Sequence, residues 1–181
     1  MLRCEIQAYL DNKNISSLCV HSSLFNREFI KENNFKFEEI PVANDKMFSV
    51  QSSLGACKLA VDSHIIYCVT RGKGTLTTKQ DLDSFFVRVY AYIRTYNFLK
   101  QNLIENEFQE LDLYALGIIG KAITNKYSFK TIIKILLILY KSEIKVLGKK
   151  MKNPIILYRK LNNYLNNVKN EKKILCQLKR E

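Results

Sequence analysis

The chain has 181 residues, of which 47% are hydrophobic, so it can form one compact domain or one domain with a small additional module. This apolar content excludes a wholly disordered protein. The formal net charge of +12 argues for a polyanionic partner, of which nucleic acid is the commonest, with an ordinary solvated surface as the alternative.

The positive charge is concentrated in the second half of the chain. Residues 1–80 contain ten basic and eight acidic side chains, whereas residues 81–181 contain nineteen and nine. A positive field confined to one half favours nucleic-acid binding by that half.

The cysteine spacing and the hydropathy of the chain bear on three questions: metal or disulfide sites, membrane association and cellular compartment. The spacing of the five cysteines predicts neither a zinc site nor a disulfide framework, and we expect no cofactor. Free thiols are typical of a reducing compartment. No stretch of 18 uncharged apolar residues occurs, and charges interrupt the N-terminus where a signal peptide would be apolar, so we expect no membrane association and an intracellular protein of the nucleus or cytoplasm.

Residues 1–75 are predicted to form a small β-rich module of unknown role. A helical turn is expected at residues 26–33, and β-branched and aromatic residues favour strands at residues 47–50, 57–61 and 64–70. Two glycines and several small polar residues then indicate a loop at residues 71–81.

Residues 83–181 are predicted to form the main domain, an α+β sandwich with the order β-α-β-α-β-β. Alternating apolar residues predict its strands, and apolar residues three and four apart predict its helices. The strands are expected at residues 85–92, 108–116, 142–147 and 172–180, and the helices at residues 95–105 and 121–140.

The junction in LYALGIIGKAITNKYSFKTIIKILL, residues 113–137, is the clearest candidate site. Gly117 and Gly120 are expected where a strand turns into a helix, because glycine permits unusual backbone angles and close approach of a phosphate. Free N–H groups at a helix start bind anions, and Lys121 and Lys126 add full charges. The alternative is that the glycines only relieve a tight turn.

The predicted element order, together with FQELDLYALG, GKAITN and KYSFKTIIKIL, resembles the Alba family of nucleic-acid-binding proteins, whose eukaryotic relatives include the Alba-like subunits of RNase P and RNase MRP. The resemblance implies a ribonucleoprotein subunit that binds RNA rather than DNA, and a homodimer or heterodimer with another Alba-like chain. It also places Asn125 at the helix opening.

Further basic and polar side chains could extend the contact with nucleic acid. Arg94 and Asn97 follow the first predicted strand, and a lysine cluster follows the third; an ordinary exposed position is the alternative for each. The cluster consists of Lys149, Lys150 and Lys152.

Two other classes of function remain open beside non-catalytic nucleic-acid binding. The nearly neutral first 80 residues could dock on a larger assembly as a protein–protein module. A nuclease or thiol enzyme would need His21 or His64, for example paired with Cys19 or Cys68, but no catalytic motif surrounds them.

Overall fold

The computed structural model describes residues 23–58 and 81–148, with Val20, Ala60 and Asn162 as single positions, and every regular element within these two ranges is an α-helix. The chain divides into two compact units, Met1–Phe98 and Leu99–Glu181. The helices are α1 (Arg27–Glu32), α2 (Lys46–Gly55), α3 (Leu82–Asn102), α4 (Glu105–Glu110), α5 (Leu116–Thr124) and α6 (Phe129–Lys141). The predicted α+β sandwich, with its β-α-β-α-β-β order, is therefore wrong.

The strand predicted at residues 85–92 lies in the middle of α3. The buried residues of this helix include Phe85, Val89, Ile93 and Tyr96. Their spacing of four, four and three residues is that of one helical face. The partial alternation in FFVRVYAY hid this longer period because the run is only eight residues long.

Three further predicted strands fail for local reasons. Residues 47–50 belong to α2, which buries Phe48, Ser49 and Ser52 along one face. Residues 108–116 contain the end of α4, a short irregular stretch and the first residue of α5. Residues 142–147 contain the turn that terminates α6 and the bend after it.

The predicted helices agree with the structure more closely than the predicted strands do. The helical turn at residues 26–33 is confirmed as α1, and the Asn26 side chain caps it by accepting a hydrogen bond from Glu28 N at 2.8 Å. The helix predicted at 121–140 is two helices, α5 and α6, separated by a turn. The strands predicted at residues 64–70 and 172–180, and part of 57–61, lie outside the described residues.

Phe48 is the centre of an aromatic cluster in the first unit. Phe37 stacks on it with ring centroids 4.6 Å apart, and Phe25 meets it edge-on at 5.3 Å.

On α3 of the same unit, Arg94 Nε donates to Glu38 Oε1 at 2.7 Å. The Lys46 ammonium lies 4.8 Å from the centroid of the Tyr92 ring, and burial lowers the pKa of Lys46 although Asp45 opposes this shift.

The second unit is organised around the packing of α5 on α6. Among its described residues, the fully buried side chains are Ala115, Ala122, Ile135 and Leu139. The two ends of the α5–α6 segment meet, because Ala115 N donates to the carbonyl of Lys145 at 2.9 Å. Gly148 lies so close beneath Tyr114 that an added Cβ would be 2.6 Å from the Tyr114 Cδ1 atom. We call residues 113–142, which contain both helices, the lysine hairpin.

Candidate nucleic-acid interface

The lysine hairpin contains five lysines and no aspartate or glutamate. All five lysines are exposed: Lys121, Lys126, Lys130, Lys134 and Lys141. Among the described residues, Lys121, Lys126, Lys130 and Lys141 form no ion pair with a carboxylate. The hairpin therefore presents positive charge that its own sequence does not neutralise.

The glycines of the predicted junction lie inside α5 and not between a strand and a helix. Gly117 is in the first turn of α5 and exposed, and an added Cβ would meet no heavy atom within 4 Å. Gly120 lies in the middle of the same helix. The expected glycine corner is therefore wrong, because residues 112–115 lead directly into a helix without a preceding strand.

Lys121 occupies the last turn of α5, where unpaired carbonyl groups carry a partial negative charge. The free N–H groups of the helix are at its other end. Lys121 thus stabilises the end of α5 and offers an exposed charge, but the combination of Lys121 with a helix N-terminus does not form.

The turn between α5 and α6 has a specific geometry. Tyr127 N donates to Ala122 O at 3.1 Å and Lys126 N donates to Ile123 O at 3.0 Å, which is the Schellman arrangement. Lys126 has a φ of 57°, in the left-handed region that favours glycine. Asn125 closes the helix as its C-cap, and its side-chain amide donates to the Tyr127 hydroxyl at 3.2 Å.

Helix α6 begins at a serine cap. The Ser128 hydroxyl accepts from Thr131 N at 3.3 Å, which satisfies one of the free N–H groups of the first turn. Behind it, Lys130, Lys134 and Lys141 follow at spacings of four and seven residues and so lie along one edge of the helix. We call these three residues the lysine edge.

An ion pair within the second unit lies at the C-terminal end of α6. Lys100 Nζ lies 2.8 Å from Glu143 Oε2. Hydrogen bonding from Lys100, reinforced by its positive charge, lowers the pKa of Glu143. Glu143 has a φ of 56° and ends α6 with the same hydrogen-bond arrangement that ends α5.

The remaining predicted site residues do not belong to the lysine hairpin. Arg94 is in the first unit and is ion-paired with Glu38. Asn97 is exposed on α3 in the same unit. The cluster of Lys149, Lys150 and Lys152 lies outside the described residues. The predicted contact of each with nucleic acid stays a prediction.

Sequence reasoning did not select Lys130, Lys134 and Lys141 as site residues. Their spacing on a helix and the absence of acidic residues between Leu113 and Ser142 are both visible in the sequence. The predicted site was centred on the glycine junction and therefore ended at Lys126 within this hairpin.

Comparison of the chain with protein-family models, with curated proteins and with solved structures found no match. The resemblance to the Alba family as such stays a prediction, although the fold that it implied is wrong. Within residues 23–58 and 81–148, no helix combines the length and apolar character needed to cross a bilayer.

Proposed function

We propose that the lysine hairpin binds the sugar–phosphate backbone of a polynucleotide and performs no chemistry on it. The observation that carries the proposal is the run of five exposed lysines without an acidic residue on α5, the turn and α6. Lysine contacts with phosphates supply affinity and position but read no base.

The Alba resemblance adds three finer expectations to this proposal. They are RNA in preference to DNA, a place in a ribonucleoprotein such as an RNase P-like or RNase MRP-like particle, and pairing with a second Alba-like chain. These expectations rest on sequence motifs alone, so the binding experiment must measure the preference for RNA directly.

The first experiment is a salt titration of binding by fluorescence anisotropy. The probes are a single-stranded RNA, the DNA of the same sequence and the corresponding duplex. If all five lysines contact phosphates, affinity for the single strands should fall about 100-fold between roughly 50 and 200 mM salt, because bound lysines release counterions. An affinity that does not change with salt would overturn the proposal.

Single neutralisations then locate the contact. Lys121→Gln, Lys126→Gln and Lys130→Gln should each reduce the salt slope by about 0.7 on a single strand. Lys36→Gln is the matched control, since Lys36 is an exposed lysine of the first unit. The lysine hairpin is not the contact surface if these variants bind like Lys36→Gln.

A protein–protein assembly module is the second candidate function. The observation that favours it is the set of apolar side chains that α6 leaves exposed. Catalysis by His21 or His64 stays an alternative with no structural argument, because both residues lie outside the described part of the chain.

A further inference from the structure

Helix α6 has a broad apolar face, of which only one part contributes to the core. Ile135 and Leu139 are fully buried. The outward side carries five exposed apolar residues: Phe129, Ile133, Leu136, Leu137 and Tyr140. Their spacing of three, four and eight residues along one helical face makes them a continuous strip, which we call the apolar stripe.

The exposure of the apolar stripe is large for side chains of this kind. Tyr140 is 80% exposed, Phe129 is 76% exposed and Leu137 is 53% exposed. A contiguous apolar surface on a helix is characteristic of an interaction site, whereas scattered exposed apolar residues are not. Over its 13 residues the helix is about 20 Å long, which matches a partner helix of three to four turns.

Charge borders the apolar stripe on one side only. The lysine edge lies directly beside Leu137, and Ile133 comes next around the helix circumference. On the opposite side, Leu136 is followed by the half-buried Ile132 and then by the core residues. A partner that covers the apolar stripe therefore meets positive charge along one flank and apolar surface along the other.

We propose that the apolar stripe binds an amphipathic helix of a partner protein, with Asp or Glu residues along the flank of that helix that meets the lysine edge. Apolar residues at helical spacing would pack against Phe129, Leu137 and Tyr140, as in other complexes in which helices pack through apolar faces. The carboxylates would set the orientation of the partner and exclude basic helices.

Charge argues against a second copy of this chain as the occupant. Two lysine hairpins brought together would place lysines near lysines with no acidic residue in either hairpin. The chain's own residues 149–181 contain ten basic and two acidic side chains, so they are equally poorly matched to the lysine edge.

A lipid surface is disfavoured by the one-sided charge. A helix that lies in a membrane interface carries its cations on the polar face opposite to the apolar face. The face of α6 opposite to the apolar stripe instead contains the fully buried Ile135 and none of the lysines of the lysine edge. The arrangement of charge therefore matches a partner helix with one acidic flank.

The test is a selection of helical peptides on the full chain. The library has a fixed leucine face at helical spacing and randomised residues on both flanks. We expect selected peptides to be enriched in Asp and Glu on one flank only. Selection on the double variant Lys130→Glu/Lys141→Glu should instead enrich Lys and Arg there, which would establish the charge pairing directly.

Binding of one selected acidic peptide is then measured on matched variants. Leu137→Gln and Tyr140→Gln should each weaken it about tenfold or more, whereas Lys36→Gln should not weaken it. Circular dichroism checks that each variant keeps its helices. The Leu137→Gln and Tyr140→Gln variants should keep the affinity for RNA, so the apolar stripe can fail without the proposed polynucleotide contact. The lysine edge serves both proposals, and RNA and the acidic peptide should therefore compete for it.

Four outcomes would overturn the inference. The first two are recovery of no binding peptide and recovery of peptides without acidic enrichment. The third is self-association of the chain that Leu137→Gln abolishes. The fourth is binding to phosphatidylserine vesicles that Leu137→Gln abolishes. Self-association would assign the apolar stripe to a second copy, and vesicle binding would assign it to a lipid surface.

Discussion

The described parts of the two units differ in how their basic and acidic residues are distributed. Residues 23–58 and 81–98 of the first unit contain seven basic and seven acidic side chains, and the Arg94–Glu38 pair is part of its packing. The second unit confines its acidic residues to the segments before and after the lysine hairpin. Within the described part of the second unit, the surface without acidic residues is therefore formed by α5, α6 and their turn.

The same contrast applies to apolar residues. In the first unit the exposed Phe37 still stacks on Phe48 within the aromatic cluster. In the second unit the apolar stripe of α6 is directed away from the core. An exposed aromatic ring of the first unit is thus still part of a packed cluster, whereas the exposed side chains of α6 form a separate surface.

The largest expected effect comes from testing the two sides of α6. Leu139→Ala should lower the free energy of unfolding by about 2–5 kcal/mol, because it leaves a cavity in the core. Leu137→Ala, which removes the same atoms from the exposed side, should change it by less than about 0.5 kcal/mol. Urea unfolding followed by circular dichroism measures both variants. Equal losses would show that the apolar stripe is packed and not available to a partner.

A smaller change in the free energy of unfolding, about 1 kcal/mol, is expected where a helix ends. Each unit contains a helix that ends with the same hydrogen-bond arrangement. Asn34 in the first unit and Lys126 in the second have φ values of 51° and 57° and occupy equivalent positions after their helices. Lys126→Gly should raise the free energy of unfolding by about 1 kcal/mol, because a lysine is strained in the left-handed region. Asn34→Gly should raise it by less, since asparagine tolerates this region.

This pair of variants also separates stability from binding. Lys126→Gly should bind RNA more weakly while it unfolds at a higher urea concentration, and Asn34→Gly should bind RNA like the unchanged chain. If Lys126→Gly binds RNA as tightly as the unchanged chain, the charge at the turn makes no contact with phosphate.

The smallest expected effect concerns the ion pair at the end of α6. Because Lys100 lowers the pKa of Glu143, the pair contributes stability above the ordinary pKa of a glutamate and loses that contribution as the pH falls through the lowered pKa. Titration of the Glu143 carboxyl carbon by NMR should show the lowered pKa, and Lys100→Met should return it toward the ordinary value. An unchanged pKa in Lys100→Met would contradict this assignment.

Sequence reasoning predicted local helix signals better than long-range architecture. The helical turn expected at residues 26–33 corresponds to α1, which is stabilised by a cap from the neighbouring Asn26. The run at residues 85–92 was misread because β-branched and aromatic residues favour strands locally, whereas burial of Phe85, Val89 and Ile93 favours a helix. The assumption of a sheet then fixed the incorrect role of Gly117 and Gly120.

The candidate site was predictable in its charge but not in its geometry. The positive surplus of the second half is visible in the sequence, but Lys121 and Lys126 were expected at the start of a helix and instead lie in the last turn of α5 and just after it. Which end of the helix they occupy depends on the turn at Asn125–Ser128, where hydrogen bonds to Ala122 and Ile123 terminate α5. The exposure of the apolar stripe depends on which side of α6 meets the core, and periodicity alone does not decide this for a helix with a broad apolar face.

The hydrogen bond from Ala115 N to Lys145 O brings together two positions 30 residues apart in sequence. Closing a loop of this length costs roughly 3 kcal/mol of chain entropy. A segment whose ends adjoin can be joined to a foreign scaffold at one point of its surface. We therefore expect that residues 113–147 can be tested for transfer of the properties ascribed to α5 and α6.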